Sequence, residues 1–250
     1  MKIRRFNSLE VHQHPDRVSL GLAAARGVAA ALTARGTKRV VFACAPSQDE
    51  FFEALIVQPV DWGMVTVFHM DEYVGLPADH PACFRHYLGR HLFSQITHGN
   101  VHYIRADPDA DPDAEAARYA SELVRKPIDL VCLGIGENGH LAFNDPAVAD
   151  FADPAFVKLV ALDDACRRQQ VHDGCFTALD DVPTHALTLT IPALLSAREI
   201  SCVVAGERKA KAVRDALLGP IATSCPASIL RTHPRAVLHL DDAAAALLPA

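Results

Sequence analysis

Short apolar runs alternate with helix-length segments along most of this chain. Residues 40–43, 64–68, 130–133, 186–190, 200–205 and 236–240 are rich in Val, Leu, Ile, Phe and Ala, and 157–162 has the same character. Runs of this length read as strands, and the continuous ones as strands buried on both faces. The segments between them have helical length. One lies within 11–35, starting after Pro15 and ending near Gly36. Others cover 49–57, 81–93 with Pro81 in the first turn, 114–124, a turn opened by Pro192, and 207–218. A closing helix is expected over 241–248, with Asp241 and Asp242 in its first turn. This alternation, with short connections, predicts an α/β fold around a mostly parallel sheet. No linker, internal repeat or shift of composition divides the chain, so residues 1–250 are expected to form a single domain.

The most distinctive stretch is 129–146. The apolar run from Leu130 to Leu133 breaks into Gly134, Gly136 and Gly139, and the chain then supplies Glu137, Asn138, His140, Asn144 and Asp145. In an open parallel sheet, ligands bind where strands end at their carboxyl edge. An imidazole placed there suits proton transfer. The glycine spacing also fits the dinucleotide fingerprint formally, but that fingerprint needs an uninterrupted helix, and Pro146 follows too soon. A glycine-rich turn with a solvated His140 is the plainest alternative.

Composition narrows the classes. With half of its 250 residues apolar, the chain can bury one sizeable core. A net charge of −6 leaves no basic footprint for nucleic acid. No run approaches the roughly 18 apolar residues of a membrane span, and the first residues lack the apolar core of a signal peptide. Seven dispersed cysteines without a C-x-x-C pair argue against a disulfide framework or a zinc ribbon. A cytoplasmic, globular chain is expected, with no nucleic-acid or membrane partner; a homo-oligomer stays open.

Three further constellations follow strands. Phe68-His69-Met70-Asp71-Glu72-Tyr73 puts two adjacent carboxylates at a strand's end. Neighbours on a strand point oppositely, so at most one of Asp71 and Glu72 enters a site while backbone or a cation holds the other. His69 and Asp71 would share a side, which allows a metal reading with His80 or His86 as third ligand. Ala43-Cys44-Ala45-Pro46-Ser47-Gln48-Asp49 leads from a strand to a helix, where either capping or anion binding fits; it has no glycine for a close backbone wrap. Cys44 reads as a small buried hydrophobe rather than a nucleophile. Gly206-Glu207-Arg208-Lys209-Ala210-Lys211 sets cations at a helix start, against the local dipole; a phosphate or a plain surface pair would explain them. The acidic stretch 106–113 lacks the spacing of a calcium loop.

Residues 70–77 with His80-Pro81, and residues 134–146, resemble the two signatures of the glucosamine-6-phosphate deaminases. Ala186-Leu187-Thr188, Gly206-x-x-Lys209-Ala210 and Pro226-Ala227-Ser228-Ile229-Leu230-x-x-His233-Pro234 continue the likeness in order along nearly the whole chain. The blocks also separate it from the related 6-phosphogluconolactonases. The resemblance implies a Rossmann-like α/β fold, an open, mostly parallel sheet with helices on both faces. It implies aldose–ketose isomerisation of an amino-sugar 6-phosphate with loss of ammonia, and no metal or organic cofactor. The carboxylate matching Asp71 would take the C2 proton, and His140 would assist ring opening beside Asn138 and Asp145. Cys44, Ala45, Ser47, Glu72, Gly136, Lys209, Arg168 and His172 fall where substrate and phosphate are held.

The departures from the family pattern are specific. Asn138 stands where the family usually has aspartate, Asp145 where it has glutamate, and Ala45-Pro46-Ser47 where the loop is usually rich in Gly and Ser/Thr. Asn138 could orient the histidine by hydrogen bond but not by charge. Asn138→Asp is therefore expected to raise activity on ring-closed substrates. The family's phosphate arginine has no clean counterpart: Arg167 and Arg168 lie nearby, and His172 aligns. A non-catalytic sugar-phosphate binder and a sugar-lactone hydrolase are the alternative functions.

Overall fold

A computed structural model describes residues 1–34, 36 and 38–249. The chain opens with a hairpin, β1 (Lys2–Phe6) and β2 (Leu9–His14), followed by α1 (Arg17–Thr33), β3 (Lys38–Phe42), α2 (Asp49–Leu55), β4 (Val65–His69) and β5 (Asp71–Tyr73). Then come α3 (Phe84–Leu88), β6 (Val101–His102), α4 (Pro112–Val124), β7 (Leu130–Leu133), β8 (Val157–Ala161) and α5 (Asp164–His172). The chain ends with β9 (His185–Leu189), α6 (Ile191–Leu195), β10 (Glu199–Val204), α7 (Ala210–Leu218) and β11 (Ala236–Asp241). The expected last residue of the first helix, Arg35, lies outside the described residues.

Eight strands form one sheet in the order β1-β2-β11-β10-β7-β3-β4-β6, with every pairing parallel except β1 on β2. The chain builds outward from β3 through β4 to β6. It then returns to the other side of β3 and builds outward through β7, β10 and β11. The direction therefore reverses between β3 and β7, and a crevice is expected outside their carboxyl ends.

The apolar runs are buried on both faces, as their lack of alternation implies. Val41, Val131, Leu133 and Cys202 pack with Tyr119 and Leu123 of α4 and Val213 and Leu217 of α7. Val40, Phe42, Leu130, Cys132 and Val203 pack with Leu20, Ala24 and Val28 of α1 and Phe51 and Phe52 of α2. Helices thus cover both faces. Among the described residues, no helix is long and apolar enough to cross a membrane.

Several expectations are corrected. The strands expected at 157–162 and 186–190 exist, but they form a separate antiparallel sheet, β5-β9-β8, in which Asp71 pairs with Thr188 and Glu72 with Leu187. The helix expected over 81–93 is short: α3 passes into a π-helical turn, Gly89–Phe93. No helix forms over 241–248. Asp241 instead closes β11, and its carboxylate accepts from the Gly206 and Ala244 N–H groups. Turns follow it.

Candidate active site

At the β3/β7 reversal a cleft of about 70 Å³ is lined from several strand ends at once. The loop after β3 contributes Cys44, Ala45, Ser47 and Gln48, the β4–β5 corner contributes Asp71, and the loop after β7 contributes Gly134, Gly136 and His140. Gln169 and Gln170 come from α5, and Lys209 from the turn before α7. A second, outer cleft of about 270 Å³ shares Ser47 and Lys209 with the first and adds Arg17, His172, Asp173, Gly206 and Arg208.

The two carboxylates of the β4–β5 corner part company, as alternation on a strand requires. Asp71 lines the inner cleft. Burial pushes its carboxyl well above the ordinary value, and the Glu72 charge adds to the rise. Glu72 was expected among the substrate-binding residues, but it turns the other way. Its carboxylate accepts from the N–H groups of Tyr73, Phe84 and Arg85, at 3.1, 3.0 and 3.0 Å, and so caps the start of α3. Burial still lifts it to about 7 against those hydrogen bonds.

His69 does not join Asp71 in a metal site either. Its Nδ1–H donates to the Asp71 carbonyl at 2.8 Å and its Nε2 accepts from the Ile104 N–H at 2.9 Å, so both ring nitrogens are committed. Burial depresses this imidazole to about 4. The ring acts as a brace for the backbone that carries Asp71.

The loop after β7 is folded around His140. A Cβ on Gly136 would lie 2.2 Å from the imidazole, so only glycine leaves the ring its seat. Gly139 has φ +88, and a Cβ there would meet Cys225 Sγ at 2.7 Å. His140 Nδ1 lies 2.9 Å from Asp145 Oδ1, within ion-pair range though the ring N–H is poorly aligned on that oxygen. Burial pushes the Asp145 carboxyl up, but His140 and Asn138 outweigh it and the net shift is downward.

Asn138 does not hold the imidazole. Its Nδ2 donates to Asp145 Oδ1 at 2.8 Å, and its Oδ1 accepts from the His140 backbone N–H at 3.1 Å. It therefore positions Asp145 and the loop, and Asp145 faces the ring. His140, Asp145 and Cys166 also bring ligand atoms within 4.8 Å of one another. Burial and the Asp145 charge raise the Cys166 thiol strongly, which disfavours the thiolate that a metal would need.

Lys209 is a buried cation lining both clefts. Burial lowers its ammonium against the attraction of Asp173 and Glu137. Cys44 is a wall residue with a thiol pushed well up by burial, unsuited to nucleophilic work. The Ala45 carbonyl accepts from the Tyr87 hydroxyl at 2.9 Å and from the Gln48 N–H at 2.8 Å, which fixes the glycine-free loop as a 3-10 turn over Pro46–Gln48.

Arg168 is misplaced for phosphate: its side chain is 57 % exposed, beside Asp164, and it lines neither cleft. His172 reaches the rim of the outer one. The residues of α5 that face the inner cleft are Gln169 and Gln170, which carried no charge signal in the sequence. Gln169 Oε1 accepts from the Glu137 N–H at 3.0 Å. Arg17 was unforeseen, whereas Arg208 belongs to the cation cluster expected at the helix start after β10. Arg17 reaches the outer cleft from the first turn of α1, held by Glu50 at 2.6 Å. Arg208 pairs with Asp173 at 3.0 Å.

Residues 18–238 match the family model described as glucosamine-6-phosphate isomerases/6-phosphogluconolactonase. A protein of Exiguobacterium sibiricum named glucosamine-6-phosphate deaminase is 39% identical over 189 residues, covering 76% of this chain and 73% of its own. One of that name from Lactobacillus delbrueckii subsp. bulgaricus is 34% identical over 213 residues, covering 85% and 88%. The solved structure of a monomeric glucosamine-6-phosphate deaminase superposes with a TM-score of 0.88 at 28% identity, over 95% of this chain and 99% of that one. A 6-phosphogluconolactonase from Trypanosoma brucei shares the fold, with a TM-score of 0.77 at 18% identity over 99% and 100%.

Proposed function

The chain belongs to the glucosamine-6-phosphate isomerase/6-phosphogluconolactonase family, and within it we propose that the protein isomerises and deaminates an amino-sugar 6-phosphate, taking glucosamine 6-phosphate to fructose 6-phosphate and ammonia. The observation that carries this reading is the shared cleft. Asp71, desolvated and beside the Glu72 carboxylate, opens onto the same space as His140, which faces Asp145, and Lys209.

The sugar phosphate group goes to the outer cleft, against Lys209, with Ser47 between the two spaces. His140 takes the O1 proton and delivers one to the ring oxygen as the C1–O5 bond breaks. Asp145 faces the imidazole while it carries the extra charge. Asp71 then removes the C2 proton; the C–H electron pair becomes a C1–C2 double bond, and the former aldehyde oxygen is protonated. Return of a proton to C1 leaves an iminium at C2. Water adds there and ammonia departs, so one water is consumed per ammonia released. Every step is a proton transfer or a hydrolysis, and the balance calls for no redox group. A weakly acidic C–H needs a base that water does not solvate, which is what burial makes of Asp71.

The same reading takes residues 1–250 as one domain working in the cytoplasm. The seven cysteines, all free thiols, support a reducing compartment. Ammonia release and ketose-phosphate formation from glucosamine 6-phosphate, with glucosamine as the unphosphorylated control, test the assignment. Acid release from 6-phosphogluconolactone without ammonia would make the protein a lactone hydrolase. Binding without turnover would make it a sugar-phosphate-binding protein.

A further inference from the structure

Away from both clefts, on the sheet face that carries α1, three imidazoles converge. His12 and His14 alternate along β2 on the side opposite Leu9 and Val11, and His239 of the neighbouring parallel strand β11 pairs in register with His12. His239 also pairs with Val203, which packs on α1 and fixes the face. One ligand atom from each ring lies within 4.8 Å of the other two.

Two other buried histidines, both outside the lining of the clefts, show what is unusual here. His69 has both ring nitrogens bonded to backbone, and so does His233, through the Ala197 carbonyl at 2.9 Å and the Arg235 N–H at 3.2 Å. His14 and His239 are equally buried, at 4% and 5% exposure, yet among the described residues the only hydrogen-bond partner of each ring is the other, at a long 3.4 Å between His14 Nε2 and His239 Nδ1. A tetrahedral ion with metal–nitrogen bonds of about 2.0–2.1 Å holds its ligand nitrogens about 3.3 Å apart. Two of the three rings already have that spacing, and His12, at the cluster's half-buried edge, needs only a side-chain adjustment. Glu10 Oε1 lies 2.5 Å from His12 Nε2 and adds a carboxylate, either as a partner for the far nitrogen of a ligating imidazole or as an oxygen donor.

We propose that His12, His14 and His239 form a binding site for a late first-row divalent metal, of the Zn²⁺, Co²⁺ or Ni²⁺ class that three imidazoles favour. The ion would clamp β2 to β11. His14 is three residues before Arg17 and His239 two before Asp241, which holds the Gly206 N–H, so the clamp underlies one wall of the outer cleft.

The test is equilibrium dialysis of the chelator-treated full chain against ZnCl₂, with metal counted per chain, alongside the visible spectrum with CoCl₂. About one zinc per chain is expected, with the d–d bands of four-coordinate cobalt and a raised melting temperature. His12→Gln and His239→Gln should each weaken binding by more than the roughly 10–100-fold that losing an outer partner costs. His140→Gln should keep the ion. Absence of zinc binding at micromolar concentration would overturn the site. So would an equivalent that survives both cluster variants and disappears with His140→Gln, since the ion would then sit at His140, Asp145 and Cys166. If His239→Gln does not fold, His12→Gln decides, because its ring stands at the open edge.

Discussion

The corner between β4 and β5 and the loop after β7 each bring a buried aspartate to the same part of the molecule, and the two are driven in opposite directions. Asp71 has burial and a neighbouring carboxylate acting on it, and its carboxyl rises well above the ordinary range. Asp145 meets a similar burial but has His140 and Asn138 beside it, and its carboxyl falls. Burial alone therefore does not set the role; the partners do. In the proposed reaction the first environment suits a base for a C–H bond, and the second a fixed charge facing an imidazole.

The largest test of this contrast is Asp71→Asn. Loss of a general base should lower turnover by about 10²–10⁴ while substrate binding, measured by calorimetry, changes little. A variant keeping a third of wild-type activity would show that Asp71 is not the base. The same contrast should appear in stability. A carboxyl raised in the folded state favours folding when protonated, and that advantage is lost as the pH rises through the raised value. Asp71→Asn should thus melt higher than wild type at alkaline pH, with the gap closing in acid.

Asp145→Asn should do the reverse. A lowered carboxyl contributes its stability above the ordinary 3.8 and loses it as the pH falls through the lowered value. The variant should lose about 1–3 kcal/mol at neutral pH, the cost of hydrogen bonds to a charged group, and converge on wild type in acid. Turnover should fall about tenfold or more on ring-closed substrate and far less on an open-chain analogue, because in the proposed reaction only ring opening uses His140. Equal losses on both would place His140 and Asp71 in one step.

Lys209→Ala leaves both aspartates in place and serves as the control. It should raise the dissociation constant of the phosphorylated substrate about tenfold, from a charge-assisted hydrogen bond of roughly 1.5–3 kcal/mol. It should leave unphosphorylated sugar unaffected. An unchanged constant would move the phosphate out of the outer cleft.

The smallest effect should come from Asn138→Asp, and here the geometry reverses the expectation drawn from the family pattern. The amide that donates to Asp145 Oδ1 at 2.8 Å would become a carboxylate facing a carboxylate. Like charges that close cannot both ionise, so one proton would be retained between them. Activity on ring-closed substrate should fall a few-fold, about 1 kcal/mol. A rise in steady-state rate would mean that the loop rearranges to let residue 138 reach the imidazole.

Much of the frame could be read from local pattern. The runs at Val40, Leu130 and Ile200 became central parallel strands because a segment with no polar face has nowhere else to go. The glycine-broken loop at 134–146 and the Asp71 corner marked the carboxyl ends where the cleft lies. That Asp71 and Glu72 would not both face the site followed from strand alternation, but which of them would did not. It was decided by three N–H groups from Tyr73, Phe84 and Arg85 arriving at Glu72. The antiparallel pairing of β5 with β9 joins residues more than a hundred positions apart, and no local periodicity reports it. The hairpin of β1 and β2 escaped notice because β1 is largely exposed and lacks an apolar run. Arg168 looked suited to phosphate by charge, yet the turn of α5 puts it in solvent and presents two neutral glutamines instead. Hydrophobic pattern is a property of each segment and settles what is buried. Which polar groups meet inside is a property of the packed strands and helices together, and only the tertiary structure decides it.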